Sequence, residues 1–504
     1  KAVERFSRGR GADLTLITAG TKSNQPIELA GEITRRKGQV VAVGAVGLNV
    51  PRDVYYKKEL ELKISMSYGP GRYDPTYEEG GVDYPYDYVR WTEQRNMEAV
   101  LSLMEARRLD VRTLTTHRFP FEQALSAYKL IQEGGEHYVG ILLEYDAGKR
   151  QEKIVAARTS APAPAKEGIG VGFVGAGNYA ALHLLPHLRD RAGVRLRGLV
   201  TATGLNARQK ADKFGFAYCA TEIGSVLEDD STDAVFIATR HSTHADYATR
   251  ALDAGRHVFV EKPLAVTPEQ LDAVAASYRR ANERRQTRLM VGLNRRFAPM
   301  AAKLKAAFDG HDALQMIYRV NSGPIPTTSW LHEPAEGRGM LVGEMCHFVD
   351  LMQFVCGERP ASVFARSLRV GNRLVADQDN LAVVVSFDGG SVGTLCYNTV
   401  GSKNAPKERL EVYGGGQVAV LDDFRRLEIA AERGTTRVKA SNQDKGQARE
   451  VAATVEYFRG VGPAPIPFDE LILGMRVIFA AQESLKTGGP VELDAEPPRQ
   501  EMIA

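Results

Sequence analysis

Cysteine is scarce: there are 4 in 504 residues, Cys219, Cys346, Cys356 and Cys396, with none earlier and no C-x-x-C pair. So sparse a set builds no disulfide framework or thiolate metal site, and it points to a reducing, cytoplasmic setting. An excess of one charge is also lacking. Lys plus Arg number 65 against 62 for Asp plus Glu, a net +3, too small to imply a nucleic-acid partner. No unbroken apolar run reaches the roughly 18 residues of a membrane-spanning helix, so no membrane partner is expected. Residue 1 is Lys, and no basic segment leads into an apolar one there, so no signal peptide is visible. What remains is 43% hydrophobic and 25% charged, ordinary for globular protein, and long enough for about three domains.

The one plain linker lies at residues 147–167, where Ala-Pro-Ala-Pro-Ala occupies 161–165 among charged residues. Alternating proline blocks both helix and ladder and favours extended chain. Before it, apolar strands at 12–18, 39–44 and 60–67 alternate with a helix at 26–37 that Gly38 closes. Helices at 96–107 and 121–133 and a strand at 138–145 follow. After the linker, strands at 168–174, 194–201, 233–239, 258–260 and 288–293 alternate with helices, the pattern of a doubly wound parallel sheet. Beyond about residue 313, β-rich runs at 314–320, 362–368, 381–387, 392–398, 409–413 and 418–421 follow one another with glycine turns between. Helices fall at 345–355 and 469–485. Consecutive strands without crossovers suggest an open, mostly antiparallel sheet covered on one face. The fold class is therefore α/β: a Rossmann-like domain (168–293), then an α+β domain (294–504), preceded by a partial Rossmann-like unit (1–146).

Gly175, Ala176, Gly177, Asn178, Tyr179 and Ala180 read G-x-G-x-x-A between an apolar strand and a helix. The first glycine permits a tight turn, and the second lets backbone approach a pyrophosphate at the helix start. In this context the motif indicates dinucleotide binding. The second strand ends with Thr201 and Thr203 and no carboxylate, while Arg208 lies just beyond. An acidic residue there would grip the adenosine ribose, so NAD and NADP both stay open.

These residues carry a resemblance. Residues 168–490 resemble the glucose–fructose oxidoreductase and inositol dehydrogenase family, Gfo/Idh/MocA. Its motifs run in order: the Gly175 turn, Ala238 to His244 (ATRHSTH), Glu261-Lys262-Pro263, Asn294-Arg295-Arg296-Phe297, and Gly339 to Asp350 (GMLVGEMCHFVD). The resemblance implies an NAD(P)-dependent oxidoreductase acting on a sugar, polyol or nucleotide sugar, and a homo-oligomer. Residues 1–146 resemble the later part of a medium-chain, zinc-type alcohol dehydrogenase, through Ile17 to Gly20, the stretches 38–47 and 59–67, and Thr116 to Phe121 (THRFPF). The glycine turn and zinc ligands of that family are absent from this segment, so an upstream continuation of the natural chain is expected.

Oxidising a secondary alcohol moves a hydride to the nicotinamide and a proton to a nearby base. Lys262, at a strand end on the cofactor's side of the sheet, can share or relay that proton. His347 can take it near neutral pH. The family's acidic residue, four positions before this histidine, is here Gly343. Glu344 follows it and either substitutes in the relay or serves as a helix-start carboxylate. The cofactor groove is assigned Thr239, Arg240, His244 and Glu261 besides the turn, Thr201, Thr203 and Lys262. The substrate side is assigned Asn294, Arg296, Trp330 and His332 with His347. Two other readings stay open: an NAD-retaining glycosidase or lyase that oxidises its substrate transiently, and a nucleotide-binding sensor without chemistry.

Overall fold

The segment Ile169–Val174 (IGVGFV) is buried along its whole length, as a strand covered by helices on both faces must be. In the computed structural model of the chain, which describes residues 1–146, 148, 154–156, 168–369, 371 and 375–493, it forms the middle of a seven-stranded sheet. The chain divides into two units, residues 1–150 and 151–504, and this sheet belongs to the second.

The strand order is Leu289–Val291, His257–Val260, Ala234–Ile237, Ile169–Val174, Val194–Val200, Tyr218–Ala220, Ile154–Ala156. Every pairing is parallel except the last. The chain winds outward from 169–174 to one side, then returns to the other side with 234–237. That reversal opens a crevice at the carboxyl ends of these two strands, where doubly wound sheets bind ligands. Stacked Phe173, Phe236 and Phe259, with neighbouring centroids 6.0 and 4.8 Å apart, tie three adjacent strands together. Helix Pro268–Arg285 covers one face; Thr267 caps it by accepting from the Gln270 N–H at 3.3 Å.

The Rossmann-like sheet is as the apolar pattern requires, with two additions. Tyr218–Ala220 is too short to show a period, and Ile154–Ala156 comes from the stretch read as linker. The Ala-Pro repeat at 161–165 lies outside the described residues.

The α+β domain holds a nine-stranded sheet, ordered Gly434–Lys439, Arg426–Ala431, Gln417–Asp422, Glu408–Gly414, Gln315–Asn321, Val392–Asn398, Leu381–Phe387, Pro360–Ser367, Val491–Glu492. Only the central pair, Gln315–Asn321 with Val392–Asn398, is parallel. Alternate residues of Leu381–Phe387 are buried, the period of a sheet with one covered face. Helices Cys346–Cys356 and Phe468–Thr487 belong to this domain's core. The hydroxyl of Ser484 pins the second helix to the sheet, accepting from the Ala365 N–H at 2.9 Å. Within residues 334–356 an 18-residue window is apolar enough to cross a membrane, but 83% of that window is buried inside the unit.

In the first unit, Ala12–Ile17, Thr34–Ala42 and Glu61–Ile64 form a three-stranded parallel sheet. Its small core joins Ile17, Ile27, Ala30, Val40 and Tyr55. Helix Gln25–Ile33 stops earlier than its pattern suggested. Gly38 closes no helix; it lies inside the strand, where an added Cβ would sit 2.9 Å from the Arg35 carbonyl oxygen.

Candidate active site

The turn after Ile169–Val174 fits a dinucleotide. Gly175 has φ +87°, and a Cβ there would lie 2.5 Å from the Ala238 carbonyl oxygen, so only glycine fits. At Gly177 a Cβ would meet nothing within 4 Å, which leaves the start of helix Asn178–His183 open to a ligand. Ala180 is buried and lets that helix pack closely. Lys210 donates from Nζ to the Ala176 carbonyl and puts a cation beside the turn. At the end of the second strand the Thr201 hydroxyl donates to the Thr203 carbonyl at 2.9 Å. Arg208 is held by Asp212 of its own helix at 3.3 Å.

Beside this turn lies a cavity of about 480 Å³ that reaches from Gly177, Asn178 and Tyr179 to the α+β domain. Thr239, His244, Glu261, Lys262, Asn294, Trp330, Glu344 and His347 also line it, so the proposed proton-transfer groups and the nucleotide turn share one space. Lys262 Nζ donates to the Gly343 carbonyl at 3.0 Å. The backbone at the position of the family's acidic residue thus holds the lysine that strand His257–Val260 delivers. His347 stands near the start of helix Cys346–Cys356, is buried, and has no partner for Nδ1. Burial first, then the charges of Arg295, Lys262, Lys407 and Lys445, hold its pKa well below the usual histidine range. It is therefore a neutral acceptor.

Glu344 is engaged with cations. Lys407 reaches its Oε1 at 2.5 Å, the Tyr397 hydroxyl donates to Oε2 at 2.5 Å, and Arg295 lies 3.8 Å away. Burial opposes its ionisation, but Lys407, Arg295 and Lys262 outweigh burial and keep the carboxyl below its ordinary pKa. Glu408 likewise stays ionised against burial, under a bidentate Arg295 (2.9 and 3.0 Å) and Lys445 at 2.6 Å. Glu261 behaves oppositely. Burial raises it to about 7 despite Lys262, and its Oε1 has no partner. Behind it Glu450 is fully buried with neither oxygen hydrogen-bonded, and burial together with Glu261 pushes its pKa far up. Burial lowers His244 to about 4; its Nδ1 lies 2.8 Å from the Pro263 carbonyl oxygen.

Several nominated residues lie off the cavity wall. Gly175 and Ala176 form the turn itself, and Thr201 and Thr203 stand at the adjoining strand end. Arg240 is exposed, with its guanidinium 5.2 Å from the Trp330 ring centroid. Arg296 turns inward to a bidentate pair with Asp350 (2.6 and 3.1 Å) and to Glu470 at 3.0 Å, joining two core helices. His332 Nε2 meets Asp379 at 2.6 Å. Six lining residues were not nominated, the small Ala180 and Ala238 and the polar His241, Arg295, Lys445 and Gln447. The short turn Asn294–Phe297 carries the cause for one of them. At about 120° per residue its neighbours diverge, so Arg295 faces the cavity and Arg296 the interior. Lys445 and Gln447 arrive about 150 residues later in the chain, where no local motif marks them.

Residues 169–293 match the NAD-binding Rossmann fold of the Gfo/Idh/MocA oxidoreductase family. Residues 313–419 match a C-terminal domain of the same family. Among similar proteins, myo-inositol 2-dehydrogenase of Thermotoga maritima is 22% identical over 335 residues, 64% of this chain and 98% of the relative. The NAD(+)-dependent scyllo-inositol 2-dehydrogenase of Bacillus subtilis is 26% identical over 311 residues, 58% of this chain and 86% of the relative. A levoglucosan dehydrogenase solved with NADH and levoglucosan shares the fold, with TM-score 0.57 and 21% identity over 65% of this chain and 99% of its own. The second unit thus carries, in order, matches to the NAD-binding Rossmann fold and to a C-terminal domain of the Gfo/Idh/MocA family. The alcohol-dehydrogenase likeness of residues 1–146 has no counterpart in these matches.

Proposed function

We propose that this module oxidises a secondary hydroxyl of a sugar or polyol with NAD, or runs the reverse reduction. The observation that carries the reading is the meeting of Lys262, His347 and the Gly177 helix start on one cavity. The inositol and levoglucosan dehydrogenases among its relatives support the substrate class. When bound, the nicotinamide supplies the hydride acceptor.

The chain's own residues do the rest. Gly175 to Tyr179 hold the diphosphate side, with Lys210 beside them; Thr239, His244 and Glu261 line the path toward the nicotinamide. His347, neutral, accepts the hydroxyl proton at its imidazole. Lys262 Nζ, positioned by the Gly343 carbonyl, steadies the negative charge that develops on the substrate oxygen. Glu344 is a counter-charge to Lys407 and Arg295. Asn294 and Trp330 orient the ring. The phosphate preference is proposed as NAD over NADP, because Arg208 is already paired with Asp212.

For residues 1–146 the reading is a partial medium-chain-type nucleotide-binding region, which its three parallel strands support. With no glycine turn of its own it adds no nucleotide, so titration should give one equivalent per chain. The main test is NADH production over a panel of polyols, sugars and nucleotide sugars. Lys262→Ala and His347→Ala should each lower kcat by about 100-fold or more while NADH still binds. Full turnover in both variants overturns the assignment, and glycoside cleavage without net NADH favours the NAD-retaining glycosidase.

A further inference from the structure

The charges around the cavity do not cancel. Lys262, Arg295 and Lys445 line it, and Lys407 stands one contact behind, on Glu344. Two carboxylates pair with them directly, Glu344 and Glu408, and both are fully engaged. The other acids nearby do not restore the balance. Glu450 has both oxygens buried and unpartnered, a situation a carboxyl tolerates only when neutral. Asp350 shares Arg296 with Glu470, and Glu336 accepts from Ser242. Over the cavity wall and its direct ion-pair partners, four cations meet two anions, a surplus of +2, or +1 when Glu261 is ionised. The cofactor's diphosphate belongs at the Gly175 turn, where Lys210 answers one of its two charges.

A recessed wall of one sign concentrates ligands of the other. A neutral polyol can accept hydrogen bonds from it but gains nothing from its net charge.

Resting on the dehydrogenase reading above, we propose that the substrate carries an anionic group, a sugar carboxylate or a phosphate ester, set against Lys445 and Arg295 while its reacting hydroxyl faces Lys262 and His347. Lys445 precedes helix Gln447–Phe458, with a side chain 16% exposed. Its ammonium has three donors, so a ligand can be bound without releasing Glu408.

The test uses the full chain loaded with NADH, titrated with D-glucose, D-glucuronate and D-glucose 1-phosphate while the fluorescence of bound NADH is followed. At low salt at least one anion should bind about tenfold more tightly than glucose, worth about 1.4 kcal/mol. High salt should erode that ratio. Which anion wins tells carboxylate from phosphate. Lys445→Gln should bring the anion-to-glucose ratio close to one, a change that a general loss of folding cannot produce. Should that variant not fold, the matched ligands on the unmodified chain decide alone. Glucose binding as tightly as both anions, or a ratio indifferent to salt, overturns the inference and leaves the dehydrogenase reading standing. Failure of NADH to bind, or of all three ligands to perturb the NADH complex, brings down that reading and the inference with it.

Discussion

Glu261→Gln isolates the titration of one buried carboxyl. Burial raises this group from its ordinary 4.5 to about 7, with Lys262 opposing. Between those values the folded chain keeps a proton that the unfolded chain has released. Since the folded state then binds more protons, the contribution to stability is full below pH 4.5 and lost as pH rises through about 7. At about 1.4 kcal/mol per pKa unit the whole loss is about 3 kcal/mol, most of it between about pH 5 and about pH 8. Unfolding entropy near 2 cal/mol/K per residue, over the 354 residues of the second unit (504 − 150), converts this to about 4–5 °C. Glutamine cannot titrate, so the Tm of the variant relative to that of the natural chain should climb by about that amount across the range. Thermal unfolding of nucleotide-free protein in a pH series measures it. Glu450→Gln should act in the same direction, because burial and Glu261 both raise that carboxyl. The double variant should gain less than the sum if the two acids are coupled. Parallel melting curves for Glu261→Gln and the natural chain would refute the reasoning.

Gly175→Ala forces a Cβ to within 2.5 Å of the Ala238 carbonyl oxygen at φ +87°. It should cost about 1–3 kcal/mol of strain and weaken NADH binding at least tenfold, as read by fluorescence titration. Glu408→Gln leaves Arg295 and Lys445 buried without their shared anion. A loss of about 3–5 kcal/mol is expected, seen as a lower denaturant midpoint, and a midpoint within error of the natural chain would show that the pair contributes little.

The parts of this fold legible in the sequence are those whose physics is local. Ile169–Val174 announces a doubly covered strand because six consecutive residues are apolar or glycine. The Gly175 turn shows because backbone sterics allow nothing else there. Short strands escaped. Tyr218–Ala220 and Ile154–Ala156 span three residues each and draw their stability from neighbours far along the chain. Gly38 misled because glycine ends helices and also permits close strand contacts. At the site, motif order singled out Lys262, Glu344 and His347, and all three line one cavity. Between adjacent arginines the choice depended on the hand of a single turn, and the sequence carries no mark for that. Lys445 is set by the approach of the chain to helix Gln447–Phe458, and nothing within ten residues of it reports that approach.

The displaced acid connects the proton chemistry to the substrate. Position 343 offers no carboxylate, and a Cβ there would lie 3.2 Å from the His241 ring; the Gly343 carbonyl takes Lys262, and Glu344 turns to Lys407 and Tyr397. His347 is left with an unpartnered Nδ1 and a surrounding of cations. A histidine so placed accepts a hydrogen bond readily but pays heavily to become an imidazolium, the state it must pass through when it takes the hydroxyl proton. The missing negative charge has to be supplied as the reaction proceeds. Glu261 can furnish part of it, since it ionises near neutral pH. An anionic group on the substrate furnishes the rest, and only when the substrate is in place. The empty cavity then disfavours protonation of His347, the filled one permits it, and discrimination against neutral sugars enters at the proton-transfer step as well as at binding.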